Sequence, residues 1–216
     1  MSKLVQQPAT GRPGRRPSTS HAHIEAVGLR LFAERGFDAV SVDDIAAEVG
    51  IGRRTLFRYF PSKNDIVWGS FDDHLGDWEH WLLTETDDFP LLQAIRSGVI
   101  HFNTFGPEVM QSHRIRMSLI LSNPVLQAHA TLRYEKWRGV IARLAAERLG
   151  CKPTDFTPMV IGHIALGAAL ASYEQWLLDP HSDLLDLLDR ALGVLADAIG
   201  EPPVVDRAAA EDERAT

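Results

Sequence analysis

The sequence predicts an all-α fold of about nine helices, with a three-helix N-terminal helix-turn-helix head on a larger helical body. Three observations predict it. Apolar residues recur at three- and four-residue spacing through most of the chain, as on one face of a helix. Ser, Asp, Asn or Pro stands where many of these stretches begin, and Gly or Pro where many end. No stretch alternates apolar and polar residues in the manner of a half-buried strand, and no internal repeat is present.

Residues 1–17 are rich in Pro, Gly and Arg and have no period, which predicts a flexible basic arm. Ser18–Ser20 offer N-cap oxygens to a first helix whose apolar positions are Ile24, Val27, Leu31 and Phe32, with Gly36 as its stop. Phe37, Val40 and Val42 anchor the connection. Ser41 before Asp43 and Asp44 starts a second helix, with acids at the positive end of its dipole. Ile45, Ala46 and Val49 form its buried stripe, and Gly50 breaks it. A third helix presents Leu56, Phe57 and Phe60 to the core and Arg53, Arg54 and Arg58 outward, and Pro61 ends it. Ser62 caps one long helix reaching about Leu83, with Asp65 completing an acidic capping box. Further helices are predicted over about 90–105, 108–122, 124–149, 155–178 and 182–199. Residues 201–216 predict a disordered tail. The domain boundaries follow: arm 1–17, helix-turn-helix head 18–67, body 68–200 and tail 201–216.

Composition narrows the function. Hydrophobic content of 45% and charged content of 24% are those of an ordinary globular protein. No apolar run reaches the roughly 18 residues of a membrane span, which predicts no membrane partner. The N-terminus lacks an apolar signal core, and the single Cys151 fits a reducing compartment, so a cytoplasmic location is expected. Net charge is −7, but residues 1–67 carry net +3 and residues 68–216 net −10. A basic head on an acidic body orients a chain on a polyanion, because phosphate attraction is screened within about 10 Å.

The segment Ser41–Lys63 carries the sharpest signal. A compact helix-turn-helix with an acidic first helix and a cationic second one suits entry into a DNA major groove. Arg54, then Arg53, are the candidates for base contact, since the planar guanidinium pairs with guanine O6 and N7. Ser41, Gly52, Thr55, Arg58, Tyr59 and Lys63 complete the candidate DNA-binding set, with Thr55, Tyr59 and Lys63 holding phosphates.

The stretch LFAERGFDAVSVDDIAAEVGIGRRTLFRYFPSKNDI resembles the DNA-binding signature of TetR-family transcriptional regulators. The Gly36-Phe37 turn, Val42, Ile45, Ala46, Gly50, Thr55-Leu56-Phe57, Tyr59-Phe60 and Lys63 carry the likeness over about residues 20–67. Two positions depart from it. Gly52-Arg53-Arg54 replaces a common Ser-Lys-Gly, and Phe57 replaces a frequent phosphate-binding Tyr, a role that Arg58 or Tyr59 would then take. RRTLFRYFPSKNDIVWGSF, FNTF, RIRMSLIL, YEKWRGVIA and YEQWL resemble the branch of the family found with mycofactocin biosynthesis genes. That resemblance implies a ligand-responsive regulator, commonly a repressor. It would bind a pseudo-palindromic operator in double-stranded DNA as a homodimer and be released by a small hydrophobic effector such as a long-chain acyl-CoA, with no cofactor.

Aromatic and methionine residues concentrate in the body, and Trp68, Trp78, Trp81, Phe102, Phe105, Met110, Met117, Tyr134 and Trp137 are the candidate pocket set. Asn103, His101, His113, Arg114 and Arg116 are the polar residues among them. Small residues in IGHIALGAALASY, with the stripe Leu184, Leu185, Leu188, Leu192, Leu195 and Ile199, predict a four-helix dimer interface. Asp73, Asp77 and His80, with His74 nearby, share a helical face but read as a solvated acidic surface, so no metal site is assigned. Two other classes stand beside the regulator: an enzyme acting on an acyl thioester in the helical pocket, and a non-specific DNA architectural protein. No catalytic motif supports the first.

Overall fold

The computed structural model describes residues 19–200 and contains, among those residues, ten helices and no strand. The arm 1–17, Ser18 and the tail 201–216 lie outside the described residues, as do the side chains of Leu195 and Ile199. The helices are α1 His21–Arg35, α2 Val42–Val49, α3 Arg53–Tyr59, α4 Lys63–Trp68, α5 Phe71–Glu85, α6 Leu91–Phe102, α7 Pro107–Ser122, α8 Pro124–Leu149, α9 Phe156–Leu178 and α10 Leu184–Gly200.

Local chemistry sets the ends of the head helices. Ser20 accepts from the His23 N–H and caps α1. Ser41 and Asp44 form a reciprocal capping box on α2, their backbone N–H groups donating to each other's side chains at 2.8 and 3.1 Å. Gly50 closes α2 in the left-handed conformation, its N–H reaching back to Ala46 and Ala47 carbonyls. The three helices close on Ile24, Leu31, Phe32, Ile45 and Leu56, all essentially without solvent contact. Burial of each side chain of this kind stabilises the head by about 1.5–3 kcal/mol. Phe57 does not join them: it stands exposed on α3, because a seven-residue helix offers the core only one narrow face, which Leu56 occupies with Phe60 just beyond.

The single helix expected from Ser62 to about Leu83 is two helices. Gly69 sits at φ +56°, ψ −132°, a backbone region that side-chain-bearing residues avoid, and its N–H ends α4 on the Asp65 carbonyl. A Cβ at Gly69 would lie 2.2 Å from a Glu25 carboxylate oxygen. The break therefore makes room for an α1 side chain.

The body is built around the 26-residue α8, which packs on α5, α6, α7 and α9, while α10 lies across α6 and α9. Asn123 caps α8 by accepting from Val125 and Leu126 N–H groups, and Pro124 occupies the first turn. One side of α9 forms part of the core. This 23-residue helix reaches a mean hydropathy of 1.4 over 18 residues, long and apolar enough by length and composition to cross a membrane. Its inner face is core, with Ala165, Leu166, Ala169, Tyr173 and Trp176 buried, and its outer face is apolar as well.

Candidate nucleic-acid interface and internal cavity

The turn at Gly50 leads through Gly52, which provides no side-chain cap, directly into the cations of α3. Arg53, Arg54, Phe57 and Arg58 share the exposed side of the helix. The Arg53 guanidinium is held by Asp43 of α2 at 2.6 Å and lies 5.4 Å from the Phe57 ring centroid. Arg54 is exposed and has no ion pair among the described residues. Arg58 stands 5.8 Å over the Tyr59 ring. Thr55 is half-buried, with its N–H on the Gly52 carbonyl. Ser41 is exposed at the start of α2, its hydroxyl engaged with Asp44.

Two residues of the set are occupied internally. The Tyr59 hydroxyl donates to the Thr19 carbonyl at 3.0 Å, pinning the point where the chain enters α1. The Lys63 ammonium donates to the Phe37 and Val40 carbonyls at 2.9 and 3.1 Å and sits 4.1 Å over the Phe37 ring. An ammonium has three N–H donors, so one remains for an external acceptor. Sequence alone does not show this, because the partner carbonyls lie more than twenty residues upstream.

A cavity of about 210 Å³ lies inside the body beneath the head. Of the nine candidate pocket residues, Trp68, Phe102, Phe105, Met117, Tyr134 and Trp137 line it. Trp78, Trp81 and Met110 do not. Trp78 stacks behind Trp137 at 5.0 Å, with its indole N–H on the Gly98 carbonyl at 2.7 Å. Trp81 stacks on His101 at 4.0 Å, and Met110 packs on the core elsewhere. Helical spacing alone does not tell which of two apolar sides of a helix faces a void. Phe71, part of the same aromatic load in the sequence, lines the cavity as well, and His74, Ile120, Leu166 and Tyr173 line it without having been candidates. His74 thereby leaves the face shared with Asp73 and Asp77, its Nε2 on the Phe102 carbonyl at 2.9 Å.

Polar order inside the cavity wall is specific. Asn103 donates through Nδ2 to the Val99 carbonyl at 2.8 Å and accepts from the Tyr173 hydroxyl through Oδ1. His113 Nε2 lies 3.2 Å from that hydroxyl. Burial pushes the His113 pKa down to about 3, so the ring is neutral, and burial pushes the Tyr134 phenol up to about 12. Tyr173 is raised further by the same cause.

One part of the wall belongs to the head. Arg116 of α7 forms an ion pair with Glu25 of α1 and donates through Nε to the Val67 carbonyl of α4 at 2.8 Å. Burial raises the Glu25 pKa, against the lowering effect of Arg116. Arg114, by contrast, bonds the Trp176 carbonyl and stacks on its ring, away from the cavity. A larger recess of about 710 Å³ runs between α5, α8 and the start of α9. Its walls carry the Lys136–Asp72 and Arg143–Glu79 ion pairs, and it is open to solvent. The smaller cavity, with apolar walls and few placed polar groups, has the character of a ligand site.

Comparison with known proteins matches these two parts. Residues 24–67 match the family of bacterial regulatory proteins of the TetR type, and residues 89–200 match the MftR C-terminal domain. The mycofactocin biosynthesis transcriptional regulator MftR of Mycobacterium tuberculosis is 45% identical over 193 residues, covering 89% of this chain and 96% of that protein. A TetR-family regulator from Syntrophomonas wolfei shares the fold at a TM-score of 0.66 and 16% identity, over 86% of this chain and 97% of that one. FadR of Thermus thermophilus, a TetR-family repressor in complex with lauroyl-CoA, does so at 0.57 and 19% identity, over 86% of this chain and 98% of that one. These relatives are regulators and not enzymes, which removes the acyl-thioester enzyme as a reading. The chain belongs to the TetR family of transcriptional regulators and carries its MftR-type C-terminal domain.

Proposed function

We propose that this regulator is a ligand-responsive repressor that binds a pseudo-palindromic operator as a homodimer and leaves it when a hydrophobic effector such as a long-chain acyl-CoA enters the cavity. The observation that carries the reading is the shared wall: Arg116 lines the cavity and at the same time holds Glu25 of α1 and the last turn of α4. An occupant that moves Arg116 moves two head helices.

In this reading Arg54 reads bases, joined by Arg53 once it leaves Asp43. Thr55, Arg58, Ser41 and the spare N–H of Lys63 hold phosphates, and Tyr59 fixes the root of the basic arm. The outer face of α9, with Ile164, Gly167 and Ala171 open to solvent, meets its copy together with α10. That explains why α9 is apolar on both sides. The lauroyl-CoA held by the Thermus FadR supports an acyl effector. A cavity of about 210 Å³ is smaller than the roughly 300–1,000 Å³ that encloses a drug-sized ligand, so the acyl chain enters and the nucleotide stays outside. Such a regulator works in the cytoplasm, beside the chromosome.

Fluorescence anisotropy of labelled DNA from upstream of this protein's own gene, with excess competitor DNA and then palmitoyl-CoA, tests the reading. Competitor-resistant binding released by palmitoyl-CoA is expected. Binding that palmitoyl-CoA leaves untouched would remove the effector class. Absence of specific binding there and in a random-sequence selection would remove the operator reading.

A further inference from the structure

Phe57 was expected in the core of the head, and it stands 38% exposed on α3. Among the described residues of the head, no other large hydrophobic side chain is as open to water. Its neighbours on that side of the helix are Arg53, Arg54 and Arg58, all exposed. The Arg53 guanidinium, held by Asp43 at 2.6 Å, rests 5.4 Å from the ring centroid. A bare aromatic ring set among three cations is unlike an ordinary solvated helix face, which is polar throughout.

The position of the ring within that face follows from helix geometry. Successive residues turn by about 100°, so Phe57 points about 40° from Arg53 and about 60° from Arg54, with Arg58 beyond Arg54. Phe57 and Arg54 therefore share the middle of the cationic face, and Arg53 and Arg58 lie further out on either side. When a helix lies in a major groove, the middle of its inserted face meets base edges, and the phosphates stand at the groove's rims. The ring has no donor for a phosphate in any case. The groove floor is a pattern of hydrogen-bond donors and acceptors with one apolar group, the C5 methyl of thymine. A phenyl ring pressed on the donors and acceptors would strip their water and return no hydrogen bond. On the methyl it buries apolar surface on both partners.

Building on the operator reading above, we infer that Phe57 is a base-reading residue, its ring packed on the C5 methyl of a thymine beside the guanine that Arg54 reads. The two side chains start three residues apart, about 4.5 Å along the helix axis, so the two bases lie within about one or two base pairs of each other. Each half-site is then read by two contacts of opposite chemistry, a polar fork on guanine and an apolar ring on thymine.

The test begins with a random-sequence selection on the full-length protein, which should return a half-site holding both a guanine and a thymine at that spacing. Deoxyuridine then replaces this thymine in each half-site, a change that removes the methyl and keeps every hydrogen-bonding group. Anisotropy should show the uracil duplex binding about tenfold more weakly, the effect of two lost methyl contacts. Phe57→Ala should bind the thymine and uracil duplexes alike and still discriminate against loss of the guanine. Because Phe57 is exposed, this variant should keep the circular dichroism and melting midpoint of the unsubstituted protein. The thymine–uracil comparison on the unsubstituted protein needs no variant at all. Equal binding of the two duplexes by the unsubstituted protein overturns the inference and leaves the operator reading standing. A thymine preference that survives in Phe57→Ala overturns it too, since the methyl then acts through another contact or through DNA shape. A selection that returns no consensus removes the operator reading and this inference with it.

Discussion

Arg54 and Arg53 are neighbours in sequence but not in electrostatics. Arg53 is paired with Asp43 at 2.6 Å, whereas Arg54 has no ion pair among the described residues, so the proposed operator contact assigns Arg54 the larger share of base reading. Arg54→Ala should weaken specific operator binding by about one to two orders of magnitude and relax preference at one base position. Anisotropy with cognate and scrambled DNA measures both, and an unchanged ratio would take Arg54 out of the reading set. His113 gives a prediction in pH. Its folded-state pKa of about 3 lies below the unfolded value of about 6.5, so between those values the unfolded chain binds the extra proton. Its contribution to stability is thus complete above about pH 6.5 and is lost as pH falls towards 3. Urea midpoints at pH 7.5 and 5 should fall less in His113→Phe than in the unsubstituted protein; equal falls would show the ring is not held neutral. Residue type alone showed which positions were cationic and which aromatic. It did not show that Lys63 and Tyr59 are tied to carbonyls of Phe37, Val40 and Thr19, because those contacts exist only after distant segments meet.

Between elements the decisive feature is the break at Gly69. Periodicity runs through it, since the apolar positions of α4 and α5 stay nearly in phase, so the sequence reads as one helix. The contact at the break is a tertiary one: the Glu25 carboxylate, paired with Arg116, occupies the space a side chain at position 69 would take. Helices ended by caps and glycines, such as α2 and α8, were legible because their signals are local. The cavity was legible only in part for the reason that separates Trp137 from Trp78: both rings are buried and stacked together, and one of them faces the void. The Glu25–Arg116 pair joins α1 to α7 across the head–body junction. Glu25→Gln keeps the shape and removes the charge. It should leave operator affinity within about threefold while reducing palmitoyl-CoA-driven release about tenfold, within the usual range of coupling energies. Release that is as complete as in the unsubstituted protein would place the coupling elsewhere.

At the scale of the molecule, a single seven-residue helix offers too few base contacts to find one site in a genome, and the proposed two-fold pairing of heads doubles that reach. In the proposed dimer the exposed small-residue face of α9 supplies the surface for that pairing. Gly167 has open space around the position of a Cβ, so Gly167→Arg should fold as before, yet run as a monomer by light scattering and lose operator binding. A dimer that survives this substitution would move the interface off α9. The central claim, that one molecule in the cavity and one operator compete through the head, has a direct thermodynamic test. Palmitoyl-CoA affinity is measured by calorimetry on the free protein and on the protein saturated with operator. Linkage requires a fall by the same factor, about 5–150-fold, by which palmitoyl-CoA weakens operator binding. Equal affinity in both states would contradict the account.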